Sequence, residues 1–323
     1  MKRKLLVTAI LFLCITKDSY SQWKPVKTLQ GGEGRAIFKA NNILYLMVQD
    51  FGIMRSLDTG VTWTRLLKRK FSQYGTFSYM SADGGLVTVD TLLSSNTGNS
   101  WQTLQIPLVN KEYSYFDVFD SKVYYVGKDS IAISSDTGAT WNKYKLPHNS
   151  VSWYANRIVK SEDKIYLVNE HYALYSTNDS GITWDSICPI PNSVYSATNV
   201  IVKGDTILYR TAWNSYRSYD NGASWTFLPY FLNVRGILYD KDTLYIATWD
   251  SVFLSMDFGN TLQFIGTKQL LASDVFAKIG HELIIPSNFY GAVRLNLNSS
   301  QITQSAKGIY GLPAGFVTAS HDS

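Results

Sequence analysis

Short runs of apolar and β-branched residues, separated by polar turn residues, follow one another along almost the whole chain. Residues 115–120 (YFDVFD), 122–127 (KVYYVG) and 130–135 (SIAISS) are one such group of three. Runs of this length, rich in Val, Ile, Tyr and Phe, are typical of β-strands. No stretch has the apolar spacing of an amphipathic helix, so the pattern predicts an all-β protein.

One eight-residue segment recurs six times, and we call these segments the octapeptides. They occupy residues 56–63, 94–101, 134–141, 177–184, 218–225 and 255–262. Their shared pattern is Ser-x-Asp-x-Gly-x-Thr-Trp, and successive glycines are 37 to 43 residues apart. A repeat of about 40 residues is typical of the blades of a β-propeller.

The third position of the octapeptide carries a side-chain oxygen that can accept hydrogen bonds from nearby backbone N–H groups. The six residues at this position are Asp58, Asn96, Asp136, Asp179, Asp220 and Asp257. The glycine two residues later permits a positive φ, and the final Trp supplies a large apolar anchor. We therefore expect each octapeptide to be a structural turn that leads into a strand.

The octapeptide resembles the Asp-box, also called the bacterial neuraminidase repeat. Sialidases, xyloglucanases, sortilin-type receptors and photosystem-assembly-factor-like proteins carry this repeat. The resemblance implies a β-propeller in which the octapeptide is the turn between the third and fourth strands of a blade. It implies no particular activity, because the repeat is structural throughout that family.

Each repeat has room for four strands, three before the octapeptide and one after it. A seventh group of apolar runs, within residues 274–297, is followed by no octapeptide. We therefore predict one seven-bladed β-propeller of four-stranded blades over residues 22–305, with a tail or incomplete repeat at 306–323. We expect residues 22–29 to close the ring as the fourth strand of the last blade, and residues 300–306 are the alternative.

The first 21 residues have the pattern of a secretory signal peptide. A basic start at residues 2–4 and an apolar run at 5–16 are followed by small residues before Gln22. We therefore expect a secreted protein, located in the periplasm, at the cell surface or outside the cell. Cys14 leaves a lipid anchor open as an alternative. No later apolar run reaches about 18 residues, so we expect no transmembrane segment.

Charge and cysteine content narrow the classes of partner. Without its first 21 residues the chain has 26 basic and 24 acidic residues, a net charge of +2, so we expect no nucleic-acid partner. Cys188 is the only cysteine in that part, which leaves no intrachain disulfide. The sequence has no metal-ligand spacing and no phosphate-binding loop, so we expect no metal and no cofactor. We expect a monomer.

Three charged residues align on the first strands of neighbouring repeats. They are Arg35, Arg235 and Asp274. A carboxylate between two guanidinium groups is a candidate site for an anion or a sugar carboxylate, and a structural ion pair is the alternative. Arg157 is one residue out of this register, and no strong Tyr–Glu pair accompanies it, so the pattern does not favour a sialidase.

Aromatic residues concentrate on one predicted face of the ring. We call the face formed by the connections between second and third strands the loop face. Trp and Tyr residues in these connections, or in a neighbouring interblade loop, are Trp153, Tyr172, Trp213, Tyr216, Trp249 and Tyr290. Such side chains suit sugar rings or a protein partner.

The leading hypothesis is a secreted, non-catalytic propeller that binds a protein or a glycan through its loop face. The alternative is a glycoside hydrolase of the Asp-box type. A hydrolase needs two positioned carboxylates, for which Glu33, Asp250 and Asp274 are the candidates. A structural spacer in a larger surface assembly is a third possibility.

Overall fold

Twenty-eight short antiparallel strands make up the described part of the chain. The computed structural model describes residues 34–49, 51–69, 80–105, 107, 115–147, 157–161, 164–168, 173–189, 197–211, 214–229, 234, 236–248, 251–267, 276–287, 291–300 and 302–304. The strands form seven separate four-stranded sheets, which are the blades of a propeller. The predicted all-β, seven-bladed fold is therefore confirmed.

The strands follow the chain blade by blade. Blade 1 comprises β1 (Gly34–Ala40), β2 (Ile43–Val48), β3 (Gly52–Ser56) and β4 (Thr64–Leu67). Blade 2 comprises β5 (Met80–Asp83), β6 (Leu86–Val89), β7 (Leu92–Ser94) and β8 (Gln102–Thr103). Blade 3 comprises β9 (Tyr115–Phe119), β10 (Lys122–Val126), β11 (Ser130–Ser134) and β12 (Asn142–Lys145). Blade 4 comprises β13 (Arg157–Ser161), β14 (Lys164–Val168), β15 (Ala173–Thr177) and β16 (Asp185–Pro189).

The remaining three blades have the same order. Blade 5 comprises β17 (Ala197–Lys203), β18 (Thr206–Thr211), β19 (Ser215–Ser218) and β20 (Thr226–Phe227). Blade 6 comprises β21 (Gly236–Asp240), β22 (Thr243–Ala247), β23 (Ser251–Ser255) and β24 (Gln263–Thr267). Blade 7 comprises β25 (Ala277–Ile279), β26 (Glu282–Ser287), β27 (Gly291–Asn296) and β28 (Ile302–Gln304).

Tight turns join the first two strands of each blade in which the structure describes that connection. In blade 3 the turn residues Asp120 and Ser121 both have positive φ, 52° and 58°. Lys241 and Asp242 repeat this in blade 6, with φ of 46° and 68°. Two successive residues with positive φ match the right-handed twist of paired strands, so these turns set the register of each hairpin.

The hydrophobic core lies between neighbouring blades. The first strands of adjacent blades pack beside one another and therefore line the centre of the ring. The middle strands are the most buried, and all four residues of β6 are buried. One apolar cluster joins blades 6, 7 and 1, so the first and last blades meet and the ring closes.

The strand that completes blade 7 differs from the expected one. β28 pairs with the outer side of β27, which corresponds to the alternative closure by residues 300–306. The expected closing strand, residues 22–29, lies outside the described residues. β27 and β28 form a local hairpin, and closing a hairpin costs little entropy because only a short loop becomes ordered. The side chain of Asn296 caps this loop.

Candidate functional site

Each octapeptide forms a turn held by one carboxylate and one hydroxyl group. In blade 3 the hydroxyl of Ser134 accepts a hydrogen bond from the N–H of Gly138 at 2.7 Å and donates to Asp136 at 2.8 Å. Asp136 also accepts from the N–H and the hydroxyl of Thr140, at 2.8 and 2.6 Å. The same bonds recur around Asp58, Asp179, Asp220 and Asp257.

These hydrogen bonds keep the octapeptide carboxylates ionised. The hydroxyl of Thr140, followed by its N–H, lowers the pKa of Asp136 to about 2. Ser224 does the same for Asp220, whose pKa is also lowered to about 2. An acceptor that is charged and fully engaged at neutral pH is a poor general acid, so these residues have a structural role.

Blade 2 builds this turn without a carboxylate, and blade 7 has a different, shorter turn that also lacks one. In blade 2, Asn96 accepts from the N–H of Ser100 at 2.9 Å and donates to its hydroxyl at 2.8 Å. In blade 7, Asn296 caps a shorter turn by accepting from the N–H groups of Asn298 and Ser299. An uncharged oxygen is therefore sufficient for the turn.

The octapeptide turns also connect neighbouring blades. Arg55, at the end of β3, donates to the carbonyl of Thr97 and the side chain of Asn99 in the next turn, both at 2.9 Å. Arg217 makes equivalent contacts to Phe258 and Asn260, at 3.1 and 2.7 Å. We call the face that carries the octapeptides the octapeptide face. Its contacts join neighbouring blades.

The loop face lies at the opposite ends of the strands. The connections between second and third strands leave from the end where β1 begins, while the octapeptides occupy the other end. Phe51 is one of the described residues of this face. The guanidinium carbon of Arg65, on β4, lies 4.6 Å from its ring centre. Arg69 of blade 1 and Asp90 of blade 2 form an ion pair at 2.7 Å. No sequence signal indicated this pair, because its partners belong to different repeats.

Two of the predicted ligand-binding residues lie in the described part of the chain. Arg35, on β1, donates to the side-chain oxygen of Gln49 at the loop-face end of blade 1. Tyr216 lies within β19 and is only 8% exposed. Its ring belongs to the core between blades 4 and 5. On the outer side it contacts the half-exposed ring of Phe227, with ring centres 5.6 Å apart. Tyr216 therefore serves packing, and we leave it out of the proposed binding surface.

The other candidates fall outside the described residues. They are Glu33, Trp153, Tyr172, Trp213, Arg235, Trp249, Asp250, Asp274 and Tyr290. The flanking strands do fix where four of these connections leave the blades. Strands β14, β18, β22 and β26 end on the loop face, and β15, β19, β23 and β27 begin there.

The described residues show neither a metal site nor a membrane-spanning element. They contain no group of three or more His, Cys, Asp or Glu side chains placed to hold a metal ion. No helix within them is long and apolar enough to cross a bilayer.

Comparisons with known proteins support the fold and leave the family open. No family model matches the chain. A xyloglucanase from Paenibacillus sp. is 30% identical over 172 residues, which is 48% of this chain but only 15% of that protein.

Two solved propellers illustrate the range of similar structures. YCF48 bound to a D1 peptide has a TM-score of 0.59 and 13% identity, over 85% of this chain and 95% of that chain. The GH74 enzyme of Niastella koreensis has a TM-score of 0.63 and 14% identity, over 86% of this chain and 55% of that chain. The chain thus has the fold of both a peptide-bound propeller and a glycoside hydrolase.

Proposed function

We propose that this protein is a secreted, non-catalytic β-propeller that binds a protein or a glycan through its loop face. The observation that carries the proposal is the order of the blades. Tyr172, Trp213, Trp249 and Tyr290 belong to the second-to-third-strand connections of blades 4, 5, 6 and 7, which are consecutive in the ring. Phe51 continues this series in blade 1.

An arc of aromatic residues suits ligand binding on physical grounds. Trp and Tyr offer large contact areas with few rotatable bonds, and both carry a polar group for hydrogen bonding. They are enriched among the residues that contribute most to binding energy. The octapeptide turns use none of these side chains. The residues of the loop face can therefore differ from blade to blade without affecting those turns.

The comparison with YCF48 supports a binding function. That structure is described as bound to a D1 peptide, and the match extends over 95% of its chain. A propeller of this size therefore accommodates a peptide ligand without further domains.

A glycoside hydrolase is the second candidate, because of the 30% identity to part of a xyloglucanase. Its catalytic groups would come from Glu33, Asp250 and Asp274, which belong to blades 1, 6 and 7. Two of these carboxyl groups would need to lie about 5–5.5 Å apart for a retaining reaction, or about 6.5–9.5 Å for an inverting one. The chain spans 55% of the GH74 neighbour and 15% of the xyloglucanase.

The test is a binding screen that also records product release. The purified protein is applied to a glycan array that includes xyloglucan oligosaccharides, and to a displayed library of random peptides. We expect binding without turnover, weakened at least about tenfold by Trp213→Ala or Trp249→Ala.

A matched control comes from the opposite face. Leu57→Ser places on blade 1 the residue that blades 2 and 3 have at the same octapeptide position, Ser95 and Ser135, and should leave binding unchanged. Release of sugar products that Asp250→Asn or Asp274→Asn abolishes would replace the binding function with the hydrolase.

A further inference from the structure

The outermost strand of every blade is a sheet edge, and most of these edges are protected against pairing. β4 carries Arg65, and β12 carries Lys143 and Lys145. β16 contains Asp185 and Pro189. β8 and β20 have only two residues each, and β28 has three. Charge, proline and shortness are the usual means of keeping another chain from adding to an edge strand.

β24 of blade 6 lacks all three protections. It spans five residues, Gln263–Thr267, with the uncharged sequence QFIGT. It pairs with β23 on one side, and none of the described strands lies beyond it. A long edge strand without charge or proline is a template for pairing with another polypeptide.

The residue at the centre of this edge differs from its equivalents in blades 1 to 4. Phe264 lies opposite Phe253 and is 54% exposed. The equivalent exposed positions are Arg65, Thr103, Lys143, Ser186 and Phe227 in blades 1 to 5. Four blades fold with a polar residue here, so the fold does not require Phe264. Its ring is held edge-on against Phe253, with ring centres 5.9 Å apart.

Exposed apolar side chains also occur on the turn that precedes β24 and on the octapeptide turn of blade 5. Met256, in the octapeptide of blade 6, is 74% exposed. Tyr219 of blade 5 is also half-exposed, and its side chain is uncharged. Its hydroxyl accepts from Asn260 at 3.0 Å, and Arg217 lies 4.6 Å from its ring centre. The carboxylate of Asp257 is engaged by Thr261. The strand itself carries no charged residue and therefore suits an uncharged partner segment.

The size of this surface argues for a small occupant. The exposed parts of Phe264, Met256 and Tyr219 offer about 300–400 Å² of apolar area in total. A stable protein–protein interface buries about 800 Å² on each partner, roughly twice as much. A single extended segment needs less, because the backbone hydrogen bonds of the edge add to the apolar contact.

We propose that β24 binds an extended, uncharged segment of a partner polypeptide, which adds to blade 6 as a fifth strand. Its backbone pairs with the free edge of Gln263–Thr267, and one of its apolar side chains packs on Phe264. This surface is distinct from the loop face, and it does not depend on the function proposed for that face.

The test uses a displayed library of random nonapeptides, selected on the wild-type protein and counter-selected on Phe264→Lys. This substitution reproduces Lys143 of blade 3 at the equivalent position, so we expect an unchanged melting temperature. We expect selected peptides in which apolar and uncharged polar residues alternate. The synthetic peptide should bind Phe264→Lys at least about tenfold more weakly, and N-methylation of its backbone should weaken binding to the wild type as much.

Phe227→Lys is the matched control, because it makes the same change on the two-residue strand β20. It should leave peptide binding unchanged. The proposal is overturned if no peptide is enriched, or if the peptides bind Phe264→Lys equally well or tolerate N-methylation. A concentration-dependent dimer in light scattering that Phe264→Lys abolishes would assign the edge to a second copy of this chain instead.

Discussion

The octapeptide face and the loop face are built from the same seven blades, yet they differ in what repeats. On the octapeptide face, five turns have the same hydrogen bonds and a sixth differs only in the bond made by Asn96. Arginines in blades 1 and 5 each connect their blade to the octapeptide turn of the next blade. On the loop face, the described contacts differ from blade to blade, as the pairs Arg35–Gln49 and Arg69–Asp90 show. Residues that recur in every blade hold the fold, and residues that change between blades are available for a ligand.

The largest effect on stability should come from Gly34. This residue has a structural role, although it lies at the loop-face end of its strand. Gly34 begins β1, and a Cβ atom there would lie 1.9 Å from the carbonyl oxygen of Gly291 in blade 7. Gly34→Ala must therefore push the first and last blades apart. We expect a loss of about 3 kcal/mol in the free energy of unfolding. Denaturant titration measures it.

Gly85→Ala is the control for this substitution. A Cβ atom at Gly85 would meet only the carbonyl oxygen of Ser95, at 3.4 Å. It should change the free energy of unfolding by less than about 1 kcal/mol. Equal effects of the two substitutions would mean that contact between blades 1 and 7 does not hold the ring together.

A smaller effect should come from one octapeptide turn. Asp136→Ala removes the acceptor for both groups of Thr140 and for Ser134, so the melting temperature should fall by about 3 °C. Asp136→Asn should lower it less, because Asn96 fills the same place in blade 2. Calorimetry of both variants decides this, and equal losses would show that the charge matters more than the acceptor oxygen.

The smallest effect should be a gradual loss of stability in acid. The pKa of Asp136, Asp220 and Asp257 is lowered to about 2 in the folded protein, against about 3.9 in an unfolded chain. Their contribution is therefore complete above about pH 4 and is lost as the pH falls towards 2. Melting temperatures between pH 5 and 2 should show this slope, and Asp136→Asn should make it shallower. A slope that is unchanged in this variant would contradict the role given to the carboxylate.

The sequence predicted the blades well because their signals are local. An apolar run, a turn residue with positive φ and an octapeptide all act within a few residues, so strand positions and turns such as that of Asp136 follow directly. Gly138 has the expected positive φ of 88°. These features need no knowledge of the neighbouring blade.

Features that depend on distant pairing were harder to predict. The choice of β28 over residues 22–29 as the closing strand depends on which segment reaches β27 at the lower entropic cost. Tyr216 was expected in a loop, but β19 begins at Ser215, which places its ring in the core between two blades. A shift of one or two residues in a strand boundary is enough to move a side chain between these environments.

The most direct test of the division between faces is the ligand-induced shift in melting temperature, measured for Trp249→Ala and Asp136→Ala with a ligand from the binding screen. The account predicts that Trp249→Ala melts as the wild type does but loses most of the shift, because binding to the folded state alone raises the melting temperature. Asp136→Ala should melt at a lower temperature than the wild type and keep the full ligand-induced shift. The reverse pattern, with the shift lost in Asp136→Ala and kept in Trp249→Ala, would place binding on the octapeptide face and contradict the account.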